Sequence, residues 1–466
     1  MNSSAIILAA GGGTRMRSDL IKMAHEILGV PVVRYVVDAV HEAGVERTVV
    51  VTGHQAETVE SLLEGVEFAR QDEQLGTGHA VQCALAATGD LTGPVVVLAG
   101  DVPLIRPETI AALVARQRET GAACVVLSAR FPDPAGYGRI IRDAGGAVGG
   151  IVEHKDLAPD QLDVAECNVG IYCFDGALLS EHVHRLEKGN AQQEYYLTDM
   201  VGLFKDEGLL VEAVITEDVD ESHGINTRVQ LAQAAKLMQR RINERHMLDG
   251  VSMIDPELVW ISPDVTIGRD TVIYPMTFLM GATQVGEKAQ IGPNTRATDS
   301  RIADGARVDA SVLDRAVVGP GATVGPVSYL RPGAVLESSA KAGACVEIKN
   351  STVGEGSKVP HLSYIGDATI GKGVNVGAGT ITCNYDGVHK HATVIEDGAF
   401  IGSDTMLVAP VRIGREAVTG AASAISRDVP PGALGLERSA QRTIEGWRRR
   451  KSAPASDDEK GSGTDE

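Results

Sequence analysis

The chain has few aromatic residues, no long apolar run and no paired cysteines. Only 4% of its 466 residues are aromatic. No apolar run approaches the roughly 18 residues that a membrane-spanning helix needs, so we expect no membrane span. The first residues lack the basic segment of a secretory signal peptide, and we expect none. The six cysteines form no CxxC pair, which indicates a reduced, cytoplasmic protein and argues against a structural zinc site.

Basic residues are outnumbered by acidic ones. With 43 Lys and Arg against 62 Asp and Glu, the formal net charge is −19. An excess of this size disfavours electrostatic attraction to the phosphate backbone of nucleic acids. We therefore expect no nucleic-acid partner, although the charge by itself names no other partner.

A six-residue hydrophobic period is the strongest pattern present. Neither a helix nor an amphipathic strand has this period, whereas hexapeptide repeats that form parallel β-helices do. Three hexads close one coil, so roughly nine coils should stack at about 4.8 Å per coil. The alternative is a β-rich domain with chance spacing, which the six consecutive matches disfavour. The repeated aliphatic residues are Ile261, Ile267, Ile273, Leu279, Val285, Ile291, Val318, Val324, Leu330, Leu336, Val353, Val359, Ile365, Ile370, Val376, Ile395, Ile401, Leu407 and Ile413.

Short apolar runs alternate with helical patterns over the first ~225 residues. This alternation predicts an α/β domain with a mostly parallel, Rossmann-like sheet, whose ligands would lie at the carboxyl ends of the strands. The loop at residues 11–17 and the pair Gly100-Asp101 both follow predicted strands. The predicted strands are residues 5–10, 48–51, 95–99 and 124–127, and a helix is predicted at residues 32–43.

A long segment without Gly or Pro separates this domain from the hexads. It predicts one connecting helix. We therefore divide the chain into an N-terminal domain (1–227), a linker helix (228–248), a β-helix domain with a basic C-terminal arm (249–451) and a disordered polar tail (452–466). The arm is explained either as a contact with a neighbouring subunit or as a solvated helix.

The first predicted strand ends in three consecutive glycines. Such a loop lets backbone N–H groups approach phosphates, and Arg15 and Lys22 add positive charge. It is not a Walker A loop, because no Gly-Lys-Ser/Thr follows. It is not a dinucleotide fingerprint either, because Met16 stands at the third glycine position. Taken singly, each feature has a plain structural explanation: a tight turn, solvated cations, a loop cap at Asp101 and a helix cap at Asn226.

The motifs taken together resemble those of sugar-nucleotide pyrophosphorylases. With the hexads added, residues 4–450 are similar to the family of bacterial bifunctional N-acetylglucosamine-1-phosphate uridyltransferases/glucosamine-1-phosphate N-acetyltransferases, whose β-helix is left-handed. The resemblance implies N-acetylation of glucosamine 1-phosphate by acetyl-CoA in the C-terminal domain. It then implies uridylyl transfer from UTP, with Mg²⁺, in the N-terminal nucleotidyltransferase domain. The motifs are residues 8–16, 71–78, 100–103, 137–140, 151–155, 167–170 and 194–199.

The resemblance also implies roles for N-terminal residues. Arg15 and Lys22 would neutralise the triphosphate, and Asp101 and Asn226 would ligate Mg²⁺. Ile21 and Val169 depart from the Pro and Thr usual in the family. The implied nucleotide and sugar contacts are Leu8, Ala9, Ala10 and Gly11 along the nucleotide, Gln71, Gly76 and Thr77 at the uracil, and Gly138, Glu153 and Asn168 at the amino sugar, with Asn226 beside them.

A polar segment interrupts the hexads between Ile381 and Val394. It cannot enter a narrow apolar interior, so it should stand out as a loop, a usual place for function. Unusual polar residues precede it: Arg331, Glu347, Lys349, His361, Tyr364 and Asn375. The sequence separations 331 to 349, 347 to 361 and 361 to 375 are close to the length of one coil. We therefore expect several of these residues to stack on one face of neighbouring coils. A neutral His among such groups suits acyl transfer to an amine.

By resemblance, His361 is the general base of a direct acetyl transfer. The alternative is an ordinary surface residue, as a single His on a β-helix face usually is. Glu347 would orient it, and Pro360 departs from the small residue usual before it. Cys345 and Cys383 are interpreted as packing residues, and His389 and His391 as solvated. The family implies a homotrimer. The implied contacts are Arg331, Lys349, Tyr364 and Asn375 for glucosamine 1-phosphate, and Ala378, Asn384, Tyr385, Ser403, Ala421 and Arg438 for acetyl-CoA.

Two other functions compete with the bifunctional enzyme. A sugar-1-phosphate nucleotidyltransferase could carry the β-helix only as a scaffolding or regulatory element, but a scaffold needs neither the loop nor the polar residues around His361. A non-enzymatic interaction protein would leave Arg15, Lys22, Asp101 and Asn226 without a purpose.

Overall fold

The computed structural model describes residues 3–189 and 193–447. They form two compact units, one ending at Arg315 and the other beginning at Ala316. This division falls within the hexads, so the domain limits drawn above stay a prediction. The predicted tail and the end of the basic arm lie outside the described residues. In the described part of the chain, none of the helices combines the length and the apolar character needed to cross a bilayer.

A nine-stranded sheet forms the centre of the first unit, in the order β11-β7-β10-β6-β1-β4-β5, with the β8–β9 hairpin attached to β10. Strand β1 runs parallel to β4 and β6, whereas β10 runs antiparallel to β6 and β7. The predicted Rossmann-like, mostly parallel sheet is confirmed. Its strands are β1 Ser4–Leu8, β4 Arg47–Thr52, β5 Glu67–Arg70, β6 Pro94–Ala99, β7 Cys124–Arg130, β8 Arg139–Arg142, β9 Val148–Val152, β10 Glu166–Asp175 and β11 Val211–Thr216, beside the small pair β2 Glu26–Ile27 and β3 Val30–Pro31.

Helices cover both faces of this sheet and bury two apolar layers against it. The predicted helix at residues 32–43 and the long connecting helix are both present. The cap of the long helix is Thr227, whose hydroxyl accepts a hydrogen bond from the Gln230 N–H, so Asn226 is not needed as a cap. The helices are α1 Val32–Glu42, α2 Ala56–Glu60, α3 Thr77–Thr88, α4 Pro107–Thr120, α5 Gly176–His182, α6 Asp199–Asp206 and α7 Arg228–Leu248.

The first unit ends in coils of short parallel strands, which form three sheets. The inward aliphatic residues lie opposite one another, as Ile261 does to Leu279, and are buried. The first sheet holds Ser252–Met253, Val272–Ile273, Gln290–Ile291 and Arg307–Val308; the second holds Val259–Ile261, Thr277–Met280, Arg296–Thr298 and Val312–Asp314; the third holds Thr266–Ile267, Gln284–Val285 and Arg301–Ile302.

Up to Gly435, the second unit is built of such coils. Its three parallel sheets confirm the predicted β-helix and agree with the left-handed form that the resemblance implies. The first holds Thr323–Val324, Lys341–Ala344, Lys358–His361, Asn375–Val376, Phe400–Ile401, Val418–Thr419 and Leu434–Gly435; the second holds Tyr329–Leu330, Glu347–Lys349, Tyr364–Gly366, Ile381–Cys383, Met406–Val408 and Ala424–Ile425; the third holds Val317–Val318, Ala334–Leu336, Ser351–Val353, Ala368–Ile370, Thr393–Ile395 and Val411–Ile413.

Pairing between coils explains where the six-residue period slips. Val318 lies opposite Leu336, eighteen residues later, but Leu336 lies opposite Val353, only seventeen later. A coil shortened by one residue keeps its inward side chain and shifts the count. Between Ile370 and Ile395 the coil is longer instead, and the extra residues form the expected projecting loop.

Two candidate active sites

The first candidate site lies at the carboxyl ends of β1, β5 and β6. The loop from residue 9 to residue 13 follows β1, Gln71 follows β5, and Asp101 follows β6 just beyond Gly100. Ala9 and Ala10, the first two residues of this loop, are buried. Because parallel strands end at the same edge of the sheet, residues far apart in sequence meet here.

Four polar side chains from separate segments converge at this edge. The Lys22 ammonium donates to Asp101 Oδ2 at 2.5 Å and to Asn226 Oδ1 at 3.3 Å. Arg15 Nη2 donates to the same Asn226 oxygen at 2.9 Å. Lys22 and Asp101 are buried, whereas Arg15 is exposed. The alternative that Lys22 is a solvated cation is not supported, because its ammonium is buried against Asp101 and Asn226. Arg15 contacts Asn226 but remains exposed to solvent.

The donor set at this edge fits a hard divalent cation. A carboxylate oxygen and a carboxamide oxygen are ligands that Mg²⁺ accepts, and it commonly completes its shell with water and substrate phosphates. The Lys22 ammonium already contacts both Asp101 and Asn226 as a cation between them would. Within residues 3–189 and 193–447, no group of three or more His, Cys, Asp or Glu forms a denser metal site.

Gly13 shapes the glycine loop against Lys22. Its φ is +65°, in the left-handed region, and a Cβ added there would lie 2.6 Å from the Cβ of Lys22. The loop can therefore pass close to the backbone of the lysine only without a side chain. This contact fixes the spacing between the predicted phosphate loop and Lys22.

Replacing Gly13 with alanine should displace Lys22 and raise the KM for UTP by about tenfold, because one lost charge-assisted contact is worth roughly 1.5 kcal/mol. Steady-state kinetics with UTP as the varied substrate measure this. Gly44→Ala is the matched control, since Gly44 also has a positive φ but nothing lies within 4 Å of an added Cβ. Equal KM values for the two variants would show that left-handed strain, not the contact with Lys22, causes any change.

A cavity of about 720 Å³ opens beside the cation cluster. Glu153 lines it, and burial together with the carboxylates of Asp156 and Asp199 raises the pKa of Glu153. A Cβ on Gly138 would lie 3.3 Å from the Glu153 carboxylate, so glycine leaves that carboxylate accessible. The sequence-predicted residues that line the cavity are Leu8, Thr77, Asp101, Glu153, Asn168 and Asn226.

The second candidate site lies in the second unit around His361. This exposed residue ends a strand of the first sheet, and Tyr364 begins a strand of the second sheet after the intervening corner. Arg331 lies on the coil before Lys349, in agreement with the expected stacking. The other two predicted alignments, of Glu347 with His361 and of His361 with Asn375, were wrong. Glu347 lies opposite Tyr364, and Asn375 lies opposite Lys358, because coils here repeat after seventeen residues.

Glu347 does not orient His361. Its carboxylate accepts a hydrogen bond from Arg331 Nη1 at 2.9 Å, and the two form an ion pair. Among the described residues, the His361 ring makes no recorded hydrogen bond, so both ring nitrogens remain available to a substrate. His389 and His391 were both interpreted as solvated loop residues. For His391 this was wrong, because its Nε2 lies 2.7 Å from Asp386 Oδ2.

Lys390, on the projecting loop, lies beside Lys349, and the sequence did not indicate this. Repulsion between the two ammonium groups lowers the pKa of Lys390. The loop base is held because Asn384 Nδ2 donates to Asp367 Oδ2 at 2.5 Å. Two adjacent cations suit an anionic group such as a phosphate.

The residues predicted to bind acetyl-CoA follow one edge of neighbouring coils. The Asp404 N–H donates to the Ala378 carbonyl, and the Ala422 N–H donates to the Ser403 carbonyl. Arg438 Nη1 donates to the Ala421 carbonyl at 3.2 Å. Tyr385 is exposed on the loop. Ala378, Ser403 and Ala421 thus follow three paired strands at the same corner of successive coils, and the Arg438 side chain contacts the last of them. The roles of these residues stay a prediction.

Comparisons with known proteins identify relatives of this chain. Residues 5–156 match the model of the MobA-like NTP transferase domain. The chain is 51% identical to the bifunctional protein GlmU of Carboxydothermus hydrogenoformans, over 94% of this chain and 98% of the relative. It is 52% identical to that of Thermobifida fusca, over 97% and 96%. A solved UDP-glucose pyrophosphorylase complexed with UDP-glucose covers 52% of this chain and is itself covered completely, at 17% identity and a TM-score of 0.44.

Proposed function

Because the chain belongs to the family of the bifunctional protein GlmU, we propose that it makes UDP-N-acetylglucosamine, a cell-wall precursor, in two steps. The β-helix acetylates glucosamine 1-phosphate with acetyl-CoA, and the α/β domain then transfers uridylyl from UTP, releasing pyrophosphate. The observation that carries the proposal is the convergence of Arg15, Lys22, Asp101 and Asn226 beside a cavity of about 720 Å³. We place the enzyme in the cytoplasm, in keeping with its six free thiols.

Uridylyl transfer needs charge neutralisation and positioning. A phosphate oxygen of N-acetylglucosamine 1-phosphate attacks the α-phosphorus of UTP, and pyrophosphate leaves. Lys22, together with Arg15, carries the charge that develops on the phosphates. Asp101 and Asn226 would hold Mg²⁺, which would supply further neutralisation when bound. Glu153 accepts a hydrogen bond from the sugar, and Asn168 and Gly138 lie beside it.

Acetyl transfer needs a free amine. His361 takes a proton from the amine of glucosamine 1-phosphate, which attacks the thioester carbonyl; coenzyme A leaves as a thiolate and takes up a proton. Arg331, Lys349 and Lys390 surround the phosphate. Neither Cys345 nor Cys383 is needed, because no acyl-enzyme forms.

Exposed apolar residues support a homotrimer built through the second unit. Val327 and Leu362 stand at corners of the coils and are each 66% exposed, and Leu362 directly follows His361. Phe400 is 50% exposed on the first sheet, which also holds the strand that ends at His361. An apolar surface of this kind beside a catalytic residue is typical of a subunit interface. Each acetyltransferase site would then be completed by a second copy of the chain.

Replacing Val327 with aspartate should break the trimer, because burying an unpaired carboxylate costs several kcal/mol. Light scattering should give a mass near that of one 48.9 kDa chain instead of three. Aspartate tolerates the left-handed φ of 58° at this position, so the coil itself is kept. Val229→Asp, at an exposed position on α7, is the control. A Val327→Asp protein that remains trimeric would place the interface elsewhere.

Two separate assays test the proposed function. Protein with N-acetylglucosamine 1-phosphate, UTP and Mg²⁺ should release pyrophosphate. Protein with glucosamine 1-phosphate and acetyl-CoA should release one free thiol per N-acetylglucosamine 1-phosphate formed. Pyrophosphate release without thiol release would leave the β-helix as a scaffold. If neither pyrophosphate nor free thiol is released, the proposal is overturned.

A further inference from the structure

His79 contacts the residue proposed to recognise uracil. It lies in the first turn of α3, three residues beyond Gly76, which precedes the helix with a φ of +110°. Its Nδ1 lies 3.1 Å from Nε2 of Gln71, and its Nε2 lies 3.7 Å from the sulfur of Cys83. The ring of Tyr195 lies 6.3 Å away. His79 is therefore held on several sides beside the end of β5.

Hydrogen-bond chemistry fixes the orientation of the Gln71 amide. Gln71 is 4% exposed, and its Nε2 donates to the Gly76 carbonyl at 3.0 Å. A carbonyl only accepts, so the group facing it must be the NH₂ of the amide. The second hydrogen of that NH₂ points to His79, whose Nδ1 must then accept it. His79 Nδ1 therefore accepts from Gln71, and Nε2 faces Cys83 as the donor.

This orientation leaves Gln71 Oε1 as an acceptor for a ligand. Among the described residues, nothing is recorded as donating to Gln71 Oε1, and the Gly76 N–H donates to no recorded acceptor. An acceptor next to a donor complements N3–H and O4 of uracil. Cytosine presents a lone pair at N3 and an amino group at position 4, which oppose both. The pair therefore discriminates between the two bases only while the amide keeps this orientation.

We propose that His79 is a positioning residue for base selection: its Nδ1 holds the Gln71 amide so that Oε1 faces the nucleotide base. This inference rests on the proposed function, since it deepens the role of the same nucleotide site. Without the acceptor at residue 79, the amide loses one of its two NH₂ contacts and can turn. UTP then binds more weakly, and the preference for UTP over CTP falls.

Three substitutions separate the two ring nitrogens. The Oδ1 of an asparagine occupies the position of His79 Nδ1, so His79→Asn keeps the acceptor towards Gln71. His79→Gln instead places its polar group near the position of Nε2, towards Cys83. His79→Leu has neither. We expect His79→Leu and His79→Gln to raise the KM for UTP about fivefold to tenfold, and His79→Asn to stay within about twofold of the wild type.

The experiment measures kcat and KM for UTP and for CTP with N-acetylglucosamine 1-phosphate on the full-length protein. The ratio of kcat/KM between UTP and CTP should fall about tenfold in His79→Leu and His79→Gln and recover in His79→Asn, with the change in KM rather than in kcat. Equal ratios in His79→Asn and His79→Gln would overturn the inference even if His79→Leu fails to fold. A wild type that uses neither nucleotide would instead overturn the proposed function.

Discussion

Replacing His361 with alanine lowers acetyl transfer by about 10²- to 10⁴-fold, the usual contribution of a general base, and leaves uridylyl transfer at its wild-type rate. The amine of glucosamine 1-phosphate is mostly protonated near neutral pH and cannot attack until a base removes the proton. His361 is exposed, so its truncation leaves no buried cavity and should cost little stability. Thiol release from acetyl-CoA and pyrophosphate release from UTP measure the two rates on one sample.

The control for this variant is His389→Ala. His389 lies in the projecting loop of the same unit and is also exposed. It should keep both activities. If His361→Ala retains more than about a tenth of its acetyl transfer, another group is the base. If it loses both activities together, the substitution has damaged the fold and the assignment of His361 gains no support.

Replacing Lys22 with methionine should lower kcat for uridylyl transfer by about 10²- to 10³-fold. Methionine keeps most of the aliphatic length and removes only the charge. The ammonium contacts Asp101 and Asn226 in the substrate-free protein, and no other buried cation is recorded in this cluster among the described residues. Arg15 is exposed and cannot reproduce a charge held between these two oxygens. Pyrophosphate release at saturating UTP and Mg²⁺ measures the loss.

Lys205→Met is the control for this second variant, because Lys205 lies on α6 and takes no part in the cluster. Acetyl transfer by the Lys22→Met protein serves as a second, internal control and should be unchanged. A kcat within about threefold of the wild type would mean that Lys22 only pairs with Asp101, and that the transferring phosphate is neutralised by other groups.

The repeat could be predicted from sequence because one residue in six must enter a narrow interior, and a wrong residue there is costly. The proximity of the glycine loop and Asp101 could also be predicted, because both follow parallel strands at one edge of the sheet. The Glu347–His361 pair was wrong because strand register places Glu347 opposite Tyr364 and beside Arg331. No periodic rule predicts whether a coil has seventeen or eighteen residues.

The contacts made by loops also could not be predicted from the sequence. Lys390 reaches Lys349 only because the projecting loop folds back on the coils, held by Asn384 and Asp367. His79 reaches Gln71 because a glycine with positive φ turns the chain into α3. Hydrophobic periodicity carries no information about either arrangement, since it records which side chains are buried and not which polar groups meet.

The most direct test is a single reaction with glucosamine 1-phosphate, acetyl-CoA labelled with ¹³C in the acetyl group, UTP and Mg²⁺, followed by mass spectrometry. We predict UDP-N-acetylglucosamine that carries the label, and labelled N-acetylglucosamine 1-phosphate when UTP is withheld. If a UDP-sugar forms only when N-acetylglucosamine 1-phosphate is supplied ready-made, and no labelled product is found, the second unit is not an acetyltransferase and the bifunctional account is wrong.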